Sequence, residues 1–420
     1  MKTTFFIIII IICSGAGLAL SASSSEGEGL TLTDCYLLAI KRSETVAISR
    51  EAIRETEARF LQAVSGILPK LSFKSSYLRQ DGTGGSNFTL KEVPESKFTF
   101  SQPLFSGFKE FASMAAGRAE ERQRRQQQLR AEQLLFVDVS DAFYFFLSYQ
   151  QELEALEMTR AALEERVQEL KKREALGRSR ASETAGAEAR LRKTEADLES
   201  VKSQQDVSRQ LMEFLTGTAV FALIENPPEV VDERGLEDCL GKADDRPDVR
   251  AGREAWEIAK KNIVLARAGS FPEVSLDGDY FTDRTGSAAD VTWDATVKVS
   301  VPIFQGGENI GKIREAVSQA KQEELKFGQT RREALLEIRG NFTRWQSSLR
   351  QTQALQKAFE AAQKSYELQK EDYAHHLVNN LEVLQSLQDL EDRRRDLIAA
   401  DNESKQLYSH LLVSIGEIAP

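Results

Sequence analysis

Between residues 291 and 301 the chain alternates without a break. Val291, Trp293, Ala295, Val297, Val299 and Val301 fall on one side of an extended backbone, and Thr292, Asp294, Thr296, Lys298 and Ser300 on the other. The run stops at Pro302, passes Gly306 and Gly307, and opens into a long charged stretch. The same events occur earlier, in KFTFSQPLFSGFKEF at 97–111, where Phe98 and Phe100 oppose Lys97 and Thr99. Two more segments alternate. Leu71, Phe73 and Tyr77 oppose Ser72, Lys74 and Ser76, and Val274, Leu276 and Tyr280 oppose Ser275, Asp277 and Asp279. The pattern predicts four strands, at about 69–80, 95–104, 272–282 and 291–304.

The charged stretches have helical spacing. No proline occurs between Pro103 and Pro227, and Gly177 interrupts the run near its middle. A helix over 108–176 would be roughly 100 Å long at 1.5 Å per residue. Leu153, Leu156, Leu163, Val167 and Leu170 step as a coiled-coil seam does, as do Leu335, Ile338, Phe342, Trp345 and Leu349. Return helices are predicted at about 178–215 and 378–417. The aromatic run FYFFLSY at 143–149 reads as a packing layer.

These elements occur twice in one order. LPKLSFKSSY (68–77) matches FPEVSLDGDY (271–280), TDCYLLA (33–39) resembles EDCLGKA (237–243), and REALGRSRASET (173–184) stands to its hairpin as DYAHHLVNNLEV (372–383) does. The chain therefore divides into a first repeat (30–217), a linker (218–235, marked by Pro227 and Pro228) and a second repeat (236–420). Each repeat is a helix, a strand, a polar loop, a strand and two long helices. Pro103 and Pro302 are expected to end strand pairing, because proline lacks the N–H the ladder needs.

Charge and termini narrow the function. The 420 residues carry a formal charge of -10, which argues against a nucleic-acid binder. Lys2 followed by the apolar run Phe5–Ile12 and small residues reads as a signal peptide, 1–22. A lipoprotein reading centred on Cys13 is the alternative, set back by bulky Ile12. No later segment has eighteen consecutive apolar residues. Cys35 and Cys239 would remain after cleavage and could pair in an oxidising compartment. Alternation alone also fits a soluble sheet with one wet face. Export favours a membrane barrel, whose strands need about 9–11 residues each. Four strands cannot close, and open edges are untenable in lipid, so the edges must pair with other copies; three copies give twelve strands.

The strand starts LPKLSF and FPEVSL, the strand ends SQPLFSG and SVPIFQGG, RPDV (246–249) and the hairpin YAHHLVNNLEVLQS (373–386) together resemble the TolC family of outer-membrane efflux proteins. Each motif is weak alone; their duplicated order spans essentially the whole mature chain. The resemblance implies a mostly helical, internally duplicated homotrimer. Its long antiparallel coiled-coil helices would form an α-barrel in the periplasm, and its strands a twelve-stranded transmembrane β-barrel in outer-membrane lipid. It implies the exit duct of a tripartite efflux pump or type I secretion system. The partners would be a periplasmic adaptor (membrane fusion) protein and an inner-membrane transporter of RND, ABC or MFS type, with no cofactor. It also implies a gate at the hairpin tips. Ser182 and Glu183 fall at gate-bonding positions of the first tip, and Tyr373 at the aromatic partner position of the second. Glu382 and Gln385 fall where some members carry two acidic rings, so Glu382 is a candidate pore constriction. Its bland alternative is a solvated helix-start residue. Val378 stands where some members have a bridging Arg, and His376 replaces the usual turn glycine, which puts the tip geometry in question.

Other chemistries are poorly supported. GGENIGKI (306–313) nearly matches a phosphate-binding loop, but Ile313 lacks the hydroxyl that would hold Mg²⁺. His375 and His376 are adjacent and share no helix face, so no metal site is expected, and no nucleophile arrangement supports an enzyme. The competing reading from another class is a periplasmic coiled-coil scaffold or pump adaptor, which would fractionate away from the outer membrane.

Overall fold

The computed structural model describes residues 29–81, 90–220, 222–224, 234–286 and 288–418. The expected signal segment with Cys13, most of the linker and the centre of the first strand loop lie outside the described residues. The elements run α1 (Leu32–Arg42), α2 (Glu44–Ser65), β1 (Lys70–Arg79), β2 (Glu92–Ser106), α3 (Lys109–Ala175) and α4 (Ala181–Thr216). The second half repeats them as α5 (Leu236–Gly241), a short 3₁₀ turn, α6 (Pro247–Ala268), β3 (Glu273–Arg284), β4 (Trp293–Ser300), α7 (Glu308–Ala374) and α8 (Asn380–Ser414). The α2 and α6 helices have 22 residues each, and α3 and α7 have 67 each. Local chemistry sets the ends. Thr31 and Asp34 form a capping box at α1, Pro247 occupies the first turn of α6, and Gly217 closes α4 in the left-handed region.

The strands form one antiparallel sheet in the order β1-β2-β3-β4. On one face its large apolar side chains are exposed. Phe73 and Tyr280 are each 57% exposed and Trp293 is 66% exposed. On the opposite face Lys97 and Asp279 are only 23% and 21% exposed, and they pair at 2.7 Å. A soluble sheet would do the reverse, because each large apolar side chain left in water forfeits about 1.5–3 kcal/mol. The outward face is built for an apolar medium. The inward face carries Ser101 donating to Asp277 at 2.6 Å, and Lys97 over the buried Phe281 ring. The outer edges of β1 and β4 have no strand partner among the described residues.

Pro103 does not end its strand. β2 continues to Ser106, which faces Glu273, with the register shifting between Pro103 and Phe105. Two features accommodate the missing N–H. β1 pairs with β2 only as far as Ser101, so Pro103 has a neighbour on one side alone, and on that side it lies at the bulge. Pro302 does follow the end of its strand.

Each pair of long helices folds into an antiparallel hairpin, and α3 also packs on α6 and α8. The aromatic run is a packing layer as expected: Phe136, Phe143, Phe146 and Leu147 are buried against α1 residues Cys35, Tyr36 and Ala39. Cys239 lies in a different core, with Ile338, Phe342 and Trp345. No disulfide joins the two cysteines. Burial pushes the Cys35 thiol up to about 12, so it behaves as a small apolar group.

RPDV has a structural role. The Arg246 side chain is 2% exposed. Its guanidinium donates to Asp248 at 2.6 and 3.0 Å, to Glu337 of α7 at 2.9 Å and to the Ser414 carbonyl of α8 at 3.1 Å. Burial opposes ionisation of Asp248, yet Arg246 and Arg130 hold its carboxyl below the usual range. The motif ties the start of α6 to both helices of the second hairpin.

Candidate functional site

The tips face away from the sheet, at the far ends of α3 and α7. Both turns close in the same way. At the first, Gly177 is left-handed at φ 68, its N–H donates to the Glu174 carbonyl at 2.8 Å, and that of Arg178 to Arg173 at 2.8 Å. At the second, His376 adopts φ 62, its N–H donates to the Tyr373 carbonyl at 3.1 Å, and that of Leu377 to Asp372 at 2.9 Å. The histidine therefore takes up the glycine geometry and carries the strain of a left-handed L-residue, about 1–2 kcal/mol. The tip is preserved despite the substitution.

Under the tips, Leu163, Val167 and Leu170 of α3, Ala187 and Leu191 of α4, and Leu384 and Leu387 of α8 form one core. Above it lies a polar cluster that links the two hairpins. Tyr373 of α7 is buried, with the Arg166 guanidinium 3.7 Å and that of Arg173 4.9 Å from its ring centre. Arg166 Nε also donates to Asn380 Oδ1 at 2.9 Å, and its terminal nitrogen to Glu169 at 2.7 Å. Glu169 in turn pairs with Arg173 at 2.6 Å. A ring face is the negative pole of its quadrupole, so two cations on Tyr373 are both attracted, and Glu169 offsets their mutual repulsion.

Of the residues expected from sequence, Tyr373 stands at the centre of this cluster. Glu183 touches it through its backbone, where its carbonyl lies 3.5 Å from Asn380 Nδ2; its carboxylate accepts from Ser179 at 2.6 Å within its own hairpin. Ser182 is exposed and outside the cluster. Glu382 sits in the first turn of α8, where Asn379 caps the helix by accepting from the Leu381 and Glu382 N–H groups at 2.9 and 3.2 Å. The Asn379 amide also donates to Glu382 Oε1 at 3.0 Å. Gln385 is exposed one turn further on. Arg166, Arg173 and Asn380 escaped the sequence reading. Arg166, Glu169 and Arg173 do fall on one helix face, but only the packing of α3 on α8, with Tyr373 of α7 brought beside it, shows what that face meets.

Among the described residues no cluster of His, Cys, Asp and Glu could hold a metal ion, and no helix is long and apolar enough to cross a membrane. The second statement says nothing of a β-barrel.

Comparison with known proteins places this architecture. The chain is 28% identical over 158 residues to the cation efflux system protein CusC of Escherichia coli, an alignment covering 36% of this chain and 35% of that one. It thus spans about a third of that relative's length. It is 22% identical to the alkaline protease secretion protein AprF of Pseudomonas aeruginosa, over 91% of this chain and 82% of the other. Among solved structures, CusC superposes with a TM-score of 0.79 at 19% identity, covering 92% of each chain. The outer membrane protein VceC of Vibrio cholerae superposes with a TM-score of 0.77 at 18% identity, covering 92% of this chain and 96% of that one. The fold is that of channel proteins. The family described as outer membrane efflux protein matches residues 36–218 and 243–417, both repeats of the chain, which therefore belongs to that family.

Proposed function

We propose that this protein is the outer-membrane exit duct of a tripartite efflux pump or type I secretion system. One observation carries the reading: a sheet whose large outward apolar side chains are exposed while Lys97 and Asp279 pair on the sheltered face, with both edge strands open. Such a sheet satisfies its backbone in lipid only by closing into a barrel, and four strands reach twelve through three copies. The long hairpins then continue the pore through the periplasm for roughly 100 Å. An adaptor protein and an inner-membrane transporter of RND, ABC or MFS type complete the path. The names of the relatives divide between cation efflux and protease secretion. That division fits a passive conduit whose cargo is chosen by its inner-membrane partner.

The tips act as the gate. Arg166, Arg173 and Tyr373 latch the second hairpin to the first, and Asn380 extends the latch toward Glu183. Glu382, with Gln385 beside it, lines the constriction, where three carboxylates favour cations. The test is reconstitution of the purified mature protein into planar bilayers, alongside electron microscopy of the same sample. Stepwise conductance from threefold particles longer than about 100 Å is expected. Compact particles without conductance would leave the scaffold or adaptor reading in its place.

A further inference from the structure

The two hairpin turns share a backbone geometry but not a charge. Residues 171–183 at the first tip hold Lys171, Lys172, Arg173, Arg178 and Arg180 against Glu174 and Glu183. Residues 370–382 at the second hold Lys370 against Glu371, Asp372 and Glu382. With the histidines neutral, the first tip is net cationic and the second net anionic. The first tip does not neutralise itself. Lys171 pairs with Glu188 at 2.7 Å, and Arg173 is held by Glu169 and the Tyr373 ring. The two tip carboxylates are engaged by hydroxyls: Thr184 donates to Glu174 and Ser179 to Glu183, each at 2.6 Å. That leaves Lys172, Arg178 and Arg180, all exposed and, among the described residues, in no ion pair or side-chain hydrogen bond.

Lys172 alone has a local reason to be there. It lies in the last turn of α3, where a cation complements the carbonyl end of the helix dipole. The two arginines have no such reason. Arg180 is the N-cap of α4, the end at which a cation is disfavoured, and its side chain makes no capping bond. The residue at the same place in the second repeat is Asn379, which caps α8 by accepting from two backbone N–H groups. The position serves its own helix in the second repeat and not in the first. Beside the arginines Leu176 projects from the turn, 70% exposed. Three unpaired cations thus surround one apolar side chain at the extreme end of the hairpin.

We infer that the first tip selects a partner hairpin whose turn carries carboxylates on either side of an apolar side chain. The inference rests on the reading of the chain as a duct continued by a periplasmic adaptor, and it fixes the charge that this adaptor presents. Shape favours such an occupant. The tip is two antiparallel helix ends joined by the connection Leu176 to Arg180, so its footprint matches the end of another helix pair. An anionic bilayer is recognised by a different pattern, a cluster of about four to eight cations, and the first tip offers three unpaired ones. The second tip, being acidic, repels the same turn, so each chain takes one hairpin. Exposed ion pairs are individually weak and screened by salt. Two of them change affinity roughly tenfold at low ionic strength and much less at about 1 M salt.

The test passes the full mature chain, in detergent, over designed antiparallel coiled-coil hairpins immobilised densely enough for one particle to engage several. Three probes differ only at the turn: glutamate, leucine and aspartate; glutamine, leucine and asparagine; or arginine, leucine and lysine. The acidic turn should hold the protein roughly tenfold better than the amide turn, and the advantage should vanish in about 1 M salt. The combined change Arg178→Glu, Arg180→Glu should reverse the order in favour of the basic turn, whereas Glu371→Gln with Asp372→Asn at the second tip should not. Equal or better retention on the amide or basic turn, retention on none, or an order unmoved by the double reversal overturns the inference. Conductance and threefold particles are measured on the same samples. Their presence with the wrong order leaves the duct reading standing, and their absence removes both. Flotation of the amphipol-held chain with phosphatidylglycerol vesicles, lost in the double reversal and without hairpin retention, would assign the patch to lipid instead.

Discussion

Replacing Arg166 by alanine removes the centre of the tip latch. Arg166 is 13% exposed on its side chain, and its guanidinium lies 3.7 Å from the centre of the buried Tyr373 ring. A desolvated cation–π contact of this kind contributes up to about 2 kcal/mol. The charged hydrogen bond to Asn380 at 2.9 Å contributes roughly 1.5–3 kcal/mol. The variant strands little, because Glu169 keeps Arg173 at 2.6 Å and Tyr373 keeps the same guanidinium at 4.9 Å. Part of the gross sum returns as water enters, leaving about 2 kcal/mol per chain. That changes the ratio of latched to released tips roughly 30-fold. In single-channel recordings Arg166→Ala should raise open probability without altering the conductance of the open state. Arg166→Lys should resemble alanine more than wild type, since lysine lacks the planar fork that stacks and bonds at once. Tyr373→Ala combined with Arg166→Ala should fall short of the sum of the two, because each alone already removes their shared cation–π contact. Unchanged open probability in Arg166→Ala, or full additivity with Tyr373→Ala, would refute the latch.

Three further outcomes follow from the geometry. Arg246→Ala leaves Asp248 and Glu337 to Arg130 alone, at 3.8 and 3.6 Å, and should cost about 3 kcal/mol, the lower end for a broken buried pair because that cation remains and the carboxylates are 27% and 41% exposed. A shift in the thermal midpoint no larger than that of a surface Arg→Ala control would contradict the tie. His410 is raised above its ordinary 6.5, first by its hydrogen bond to Asp141 and against the cost of burial. Its contribution is therefore complete below pH 6.5 and is lost as pH rises through the folded value. Midpoints measured across that range should show a slope that Asp141→Asn removes, and a slope persisting in the variant would assign it to another group. Glu382→Gln should lower cation preference and block by multivalent cations in bilayers; unchanged selectivity would leave Glu382 a solvated helix-start residue.

The duplication was legible because both repeats keep their periodicity. Four alternating runs and two prolines sufficed to order the strands, and the unbroken stretch after Pro103 sufficed for α3. Strand ends were less legible. β2 begins at Glu92 and ends at Ser106, beyond the expected 95–104, because β1 pairs with Glu92–Pro94 at one end and β3 with Phe105 and Ser106 at the other, and no local signal encodes those partners. For the same reason Pro103 read as a terminator when it sits at a bulge beside a one-sided stretch of ladder. At the tips, Tyr373 was identified but its partners were not. Cation–π contacts depend on how helices distant in sequence are rotated against one another, and heptad spacing gives each seam without giving that rotation. His376 read as an obstacle to the turn, yet the backbone hydrogen bonds around it hold the glycine conformation.

The inverted sheet also constrains how the protein matures. Before it reaches lipid the chain must cross an aqueous compartment with Phe73, Tyr77, Phe98, Tyr280 and Trp293 turned outward, and with two strand edges able to template pairing. The proposed three-copy closure needs encounters between copies, whereas sticking of those aromatics needs only any apolar surface. Biogenesis is therefore a race between a concentration-dependent assembly and indiscriminate aggregation. A soluble escort that shields the aromatic face while leaving the edges of β1 and β4 open would favour the productive branch, and overproduction without such an escort would feed the other.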